Sequence, residues 1–256
     1  MKRVNEILIE EIGKRCSRRK YSDKMISVEE EAEILRIIEE INDDGDLEFE
    51  ANINYGGEAF DGFNSYGLIR GCNSYIALIG DSRDKHIKEK IGYYGEYLVL
   101  KLTQMGLGTC WVGGTYDKKS VEKEIETKYS DEIYCVIALG HIFGDEKTNF
   151  EKVIGFFGKN NKSQKDIFKT ENPLNKNKEW IEKGLECVYK APSALNRRPW
   201  RFWYNDKNIC LKSNKESEFD KIDIGIAMLH FQMGAEKAGF RGKWKFINNC
   251  WEFIEE

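Results

Sequence analysis

Little in this chain would serve a metal centre, a membrane span or a disulfide scaffold. There are only three histidines, His86, His141 and His230, spread without metal-ligand spacing, so no metal site is expected. The seven cysteines are an odd number and include no Cys-x-x-Cys pair. The N-terminal stretch mixes acids into its apolar residues and does not read as an export signal, so reduced thiols and a cytoplasmic location are expected. No apolar run approaches the roughly 18 residues of a membrane span. Basic excess is also missing. A net charge of −4 argues against a general nucleic-acid or anionic-membrane partner. Proline is as scarce as histidine: there are three, and two of them, Pro192 and Pro199, share one short stretch.

What is present supports a packed core. Hydrophobic residues make up 41% of the chain, with 14 Phe, 12 Tyr and 6 Trp. The 256 residues suffice for one sizeable domain or two small ones.

The two prolines bracket Ala191–Trp200, APSALNRRPW. Proline fixes φ and cannot donate a backbone hydrogen bond, so this is a stiff, non-repetitive loop. Ser193 and Asn196 offer donors and acceptors inside it. Upstream, Trp180, Ile181, Gly184, Leu185 and Val188 recur at helical spacing; downstream, Arg201–Tyr204 reads as a strand. The loop is either a structural turn or a platform for a flat polar ligand.

A second motif is Lys14–Tyr21, KRCSRRKY, with five positive charges around Ser17. Such a cluster is either a solvated surface patch or an anion site, in which arginines grip a phosphate with paired donors. A helix follows, opened by a Ser27/Glu30 capping box, with an apolar stripe of Ile34, Leu35, Ile38 and Ile41. Leu47–Asn54 alternates as a half-exposed strand, residues 55–73 read as a loop, and Tyr75–Ile79 as a buried strand. A long helix is expected over 86–105, ended by Gly106.

The stretch GLGTCWVGG, residues 106–114, lacks the lysine of a phosphate-binding P-loop and the third glycine of a dinucleotide fingerprint. Its glycines allow either close approach to a ligand or a flexible helix-to-helix connection. A short helix from Val121, a buried strand Ile133–Leu139 and a Lys/Asn-rich crossover over 145–178 come next. The last long helix, expected over 223–238, repeats the earlier one. At an offset of 225 − 92 = 133, Gly92 meets Gly225, Gly106 meets Gly239 and Trp111 meets Trp244. This common register reads as an internal duplication.

The proline loop resembles the signature of the FMN-dependent nitroreductase superfamily, Ala-Pro-Ser-x-x-Asn-x-Gln-Pro-Trp. It matches at Ala191, Pro192, Ser193, Asn196, Pro199 and Trp200, and departs at Arg198, where the family usually has glutamine. Arg15, Ser17, Arg19 and Tyr21 match the family's N-terminal Arg-x-Ser-x-Arg-x-aromatic motif. The resemblance implies an α+β fold of mixed sheets flanked by helices, in two half-domains related by pseudo-two-fold symmetry. It implies that Arg15, Ser17 and Arg19 bind the FMN phosphate and pyrimidine edge, and that Gly113 and Gly114 present main-chain N–H groups to the flavin. Pro192, Ser193 and Asn196 would complete the site, with Lys159 and Lys162 as further phosphate candidates. Arg198 would either add charge at this edge or form a surface salt bridge.

Family members are usually homodimers that divide these motifs between subunits. Here the first half, 1–165, carries the basic motif and the glycine turn but no proline loop between Ile41 and Leu47; the second, 166–256, carries the proline loop. The expectation is a fused pseudo-dimer, monomeric, with one FMN. Its implied reaction carries electrons from NAD(P)H through flavin N5 to a nitroaromatic, quinone or similar acceptor, with no catalytic side chain. The alternative is a flavin store or sensor without turnover.

Overall fold

The computed structural model describes residues 6–61, 67–144, 164–170, 178–204, 208–214 and 217–256. In chain order the helices are α1 Glu11–Lys14, α2 Val28–Gly45, α3 Glu58–Asp61, α4 Ile87–Gln104, α5 Lys118–Glu124, α6 Gln164–Ile167, α7 Glu179–Val188 and α8 Glu218–Lys237. The strands are β1 Glu50–Asn52, β2 Ser74–Asp81, β3 Gly108–Val112, β4 Asp131–Gly140, β5 Phe168–Thr170, β6 Trp200–Tyr204, β7 Ile209–Ser213, β8 Gly242–Ile247 and β9 Cys250–Glu255. Among the described residues no helix is long and apolar enough to cross a membrane.

The chain packs as two compact units. One comprises Lys14–Ile87 and Tyr97–Phe157; the other comprises Met1–Gly13, Lys88–Glu96 and Gly158–Glu256.

In the unit that begins at Lys14, a four-stranded antiparallel sheet runs in the order β1-β2-β4-β3. β2 is buried from Ser74 to Gly80 and β4 from Cys135 to Gly140, which is why these stretches read as continuous apolar runs rather than alternating ones. One face packs Tyr75, Ala77, Val112, Val136 and Ala138 against Tyr21, Phe60, Tyr116 and Val121. α2 starts at the capping box: Ser27 Oγ accepts from Glu30 N, and Glu30 Oε2 accepts from Ser27 N at 2.8 Å. Its buried stripe is Ile34, Ile37, Ile38 and Ile41; Leu35, expected inside, is 47% exposed. Leu47, Phe49 and Ile53 are buried as expected, though the ladder itself is only the three residues of β1. The glycine-rich stretch is not a helix-to-helix connection, because Gly108–Val112 forms the edge strand β3.

The other unit has a five-stranded sheet ordered β5-β6-β7-β9-β8, antiparallel except for the β5–β6 pair. If β6, β7, β8 and β9 are matched to β1, β2, β3 and β4, the order of the two sheets is the same and β5 is an addition. α8 then stands where α4 stands, joining the second and third strands of its set. The sheet's core face is aromatic: Phe231 lies 5.3 Å from Phe202 and 5.4 Å from Phe253, and Trp180 stacks on Phe240 at 3.8 Å. Every residue of α8 from Ile222 to Ala235 is buried, so this helix has no solvent stripe. β8 and β9 form a hairpin through Asn248 and Asn249, both left-handed with φ 50° and 59°. That geometry matches the twist of the strands and is tolerated by asparagine.

α8 crosses the Lys88–Glu96 stretch of α4 at two glycines. A Cβ on Gly92 would come within 2.0 Å of the Ile222 carbonyl oxygen, and a Cβ on Gly225 within 2.0 Å of the Glu89 carbonyl oxygen. Only glycine allows backbones this close.

Candidate functional site

The basic motif lies along the edge strand of the first sheet. Ser17 bridges Thr109 of β3 in parallel, and Arg18 N donates to Thr109 O at 2.8 Å. On the other side, Arg70 N donates to Arg19 O at 2.9 Å and Tyr21 N to Arg70 O at 2.9 Å. Ser22 N donates to His141 O at 2.9 Å, just past β4. The Tyr21 hydroxyl reaches Arg18 O at 2.8 Å from inside the core. From Ser17 to Ser22 the segment is therefore held by main chain. Arg15, Ser17 and Arg19 are partly exposed, while the intervening Arg18 is buried at 7%.

β3 leads from Thr109 into the turn at Gly113 and Gly114. A Cβ on Gly114 would meet nothing within 4 Å. Packing within the chain does not require glycine there, so that surface stays open to an approaching group.

In the other unit, the proline loop is a 3-10 turn over Ala194–Asn196 between α7 and β6. Leu195, Asn196 and Arg198 are all left-handed, with φ 51°, 52° and 47°. Non-glycine residues in that region cost of order 1–3 kcal/mol each and persist only where the surroundings enforce them. Three contacts do so here. Asn196 N donates to Ser193 O at 2.8 Å, and Arg198 N to Ser193 Oγ at 2.9 Å. Asp223 of α8 takes the Ala194 N–H on both carboxylate oxygens, at 3.0 and 3.2 Å. Asp223 is only 3% exposed, and burial pushes its carboxyl up to about 7; the Ala194 N–H and Arg197 pull the other way, and the Asp220 charge adds to the rise. Arg197 sits 3.8 Å from buried Asp220 and donates to Ser217 Oγ at 3.3 Å. Pro192, Ser193 and Asn196 are thus set in a loop clamped to the first turns of α8.

Arg198 has its guanidinium 4.8 Å from the Tyr189 ring centroid, a cation–π contact. Lys159 and Lys162 lie outside the described residues.

α8 also carries a buried histidine. His230 Nδ1 faces Cys187 O at 3.0 Å, and Nε2 faces Glu96 Oε1 at 3.0 Å, with both side chains fully buried. A carbonyl can only accept, so Nδ1 is the donor to Cys187 O. Nothing in the local sequence announced Asp223 or this pair, because their partners are backbone atoms or residues distant in the chain.

Residues 7–235 match the model of a family described as "Putative TM nitroreductase". The chain belongs to this family. Membership places it with the nitroreductase-type oxidoreductases. A protein of Thermotoga maritima described as a putative nitroreductase has a solved structure similar over 100% of this chain and 97% of its own, at 20% identity and a TM-score of 0.60. The likeness shows a shared nitroreductase fold. An FMN-dependent nitroreductase of Clostridium difficile aligns over 55% of this chain and 90% of its own, at 23% identity and a TM-score of 0.43. A Bacteroides fragilis nitroreductase with bound FMN aligns over 57% and 95%, at 18% identity and a TM-score of 0.39. No curated protein matches the chain.

Proposed function

We propose that this member of the family is an FMN-dependent oxidoreductase that passes electrons from NAD(P)H to a nitroaromatic, quinone or similar small acceptor. The observation that carries the reading is the pairing of the basic motif with β3. It ties a cluster of phosphate-gripping side chains to the strand that ends at an open glycine turn. From Thr109 to Gly113 is roughly 13 Å along an extended strand. That is the order of separation between a phosphate and a flavin ring joined by a ribityl chain, so the donor set fits FMN.

In this reading Arg15, Ser17 and Arg19 take the phosphate and the pyrimidine edge with charge-assisted hydrogen bonds. Gly113 and Gly114 offer main-chain N–H groups, with no side chain to hold a ring away. Pro192, Ser193 and Asn196 present a pre-shaped loop, and Asp223 fixes that loop through the Ala194 N–H. Lys159 and Lys162 are further candidates for the phosphate. Bound FMN would supply two-electron transfer at N5; the chain supplies position and charge. No side chain is assigned as acid, base or nucleophile. The halves 1–165 and 166–256 are read as products of a duplication, giving one FMN in a monomer. A cytoplasmic location belongs to the same reading.

The test is the absorption spectrum of the purified chain, followed by anaerobic mixing with NADH and with NADPH. Bound FMN bleached by either donor, and recoloured by a nitroaromatic or quinone, is the expected result. A chain that takes up no FMN when reconstituted would sink the reading. FMN that neither donor bleaches would instead make the protein a store or sensor.

A further inference from the structure

The face of the five-stranded sheet opposite its aromatic core carries two cysteines and a glutamate at one spot. Cys210 of β7 and Glu252 of β9 are direct register partners, so their side chains rise from the same face. Cys250 lies two residues before Glu252 on β9 and shares that face. The two thiol sulfurs and a carboxylate oxygen all lie within 4.8 Å of one another. Cys250 Sγ is 3.9 Å from Glu252 Oε1. The glutamate is oriented from behind, since Asn208 Nδ2 donates to its second oxygen, Oε2, at 3.0 Å.

We propose that Cys210, Cys250 and Glu252 bind one thiophilic divalent cation of the zinc type. Zinc takes sulfur at about 2.3 Å and carboxylate oxygen at about 2.0–2.2 Å in a tetrahedron. The edges of such a tetrahedron are roughly 3.5–3.8 Å, so the three donors need to close by only a fraction of an ångström to about one. Two soft sulfurs with one carboxylate favour zinc, cadmium or cobalt over magnesium or calcium. Three protein ligands leave one coordination position for water or a small ligand. The Asn208–Glu252 hydrogen bond is the kind of outer contact that orients a ligating carboxylate.

The charge around the cluster also fits. Two thiolates and a carboxylate carry three negative charges, and a divalent ion leaves one. Lys212 shares the face and lowers both thiol pKa values, and Lys245 is the register partner of Glu252. Without a metal, the Cys250 thiol donates to Ile247 O at 3.3 Å. Binding M²⁺ forms two metal–sulfur bonds and one metal–oxygen bond and releases two thiol protons to solvent, with no change in oxidation state. Affinity therefore rises with pH. The ligands are distant in sequence and come together only through the β7–β9 pairing, so no spacing motif marks them.

The test uses the reduced full-length chain and Co²⁺ as probe. One equivalent should give a thiolate-to-cobalt charge-transfer band with the visible spectrum of a tetrahedral ion, and Zn²⁺ should bleach it with two protons released. Cys210→Ser/Cys250→Ser should abolish the band. Glu252→Gln should keep it while weakening affinity at least as much as the roughly 10–100-fold typical of an outer-shell partner. Because the double variant could fail to fold, alkylation of the unmutated chain is mapped by peptide mass spectrometry: Zn²⁺ should protect Cys210 and Cys250 and leave the other cysteines unchanged. Absence of a thiolate–cobalt band, its survival in the folded double variant, or lack of protection at Cys210 and Cys250 would each overturn the site.

Discussion

Gly92 and Gly225 meet through a reciprocal contact. The carbonyl oxygen that excludes a side chain at Gly92 belongs to Ile222, and the one that excludes a side chain at Gly225 belongs to Glu89. The offset of 133 that aligns Gly92 with Gly225 also aligns Glu89 with Ile222, since 222 − 89 = 133. Each contact is thus the image of the other, as at the centre of a two-fold interface. Either Gly→Ala substitution must push the helices apart. The expected loss is roughly 1–3 kcal/mol or more, read as a lower urea midpoint, and the double substitution should be less than additive because one displacement serves both. Independent, additive losses would show that the crossing is not shared.

Asp223 gives a pH signature. Its carboxyl is held near 7 by burial, well above the ordinary 3.8. The folded state therefore binds this proton more tightly than the unfolded chain does. The stability it contributes is full below about pH 4 and is lost as pH rises towards 7, at up to roughly 1.4 kcal/mol per pH unit. Asp223→Asn keeps an oxygen for the Ala194 N–H and removes the titration. Urea midpoints across that window should fall with rising pH in the parent by this increment and not in the variant. Equal slopes would remove Asp223 as the source.

Arg15→Ala should weaken FMN binding by roughly 1.5–3 kcal/mol, the usual worth of a hydrogen bond to a charged group. Flavin fluorescence titration measures it. Since the motif is held by its main chain, the fold should tolerate the change, and unaltered affinity would take Arg15 out of the site.

Stoichiometry is a separate expectation. With one proline loop and one basic motif per chain, about one FMN should bind per chain in a monomer. Flavin titration and analytical ultracentrifugation on one sample decide this. Two FMN per chain, or binding only by an obligate dimer, would mean the motifs are divided differently.

Much of the scaffold was legible because its signals are local. The Ser27/Glu30 box opens α2, Gly106 ends α4 in a left-handed conformation, and the continuous apolar runs are β2 and β4. Misreadings came where the deciding neighbour is distant. Leu35 fits a helical stripe as well as Ile37 does, yet packing buries Ile37 and leaves Leu35 out. The β8–β9 hairpin carries a local signal, Asn248-Asn249 between its two strands, both left-handed. In the candidate site the motif residues were readable as types in a pattern. What supports them was not: Thr109 O holds Arg18 and Asp223 holds Ala194, and in each pair one partner is a backbone atom with no identity in sequence.

Both sheets share an ordering that bears on how the chain must be assembled. In one, β4 lies between β2 and β3; in the other, β9 lies between β7 and β8. The strand made last in each set is the one that joins the earlier two. β3 waits for β4 and β8 waits for β9 before gaining a ladder partner within its sheet; until then β3 has only the bridge from Ser17 and Arg18 at Thr109. Vectorial growth from the N-terminus can pair β1 with β2 and β6 with β7 as they are made, but each sheet closes only when its last strand joins across to β2 or β7, a non-local pairing of the kind that slows folding and leaves edges exposed to other chains in the meantime.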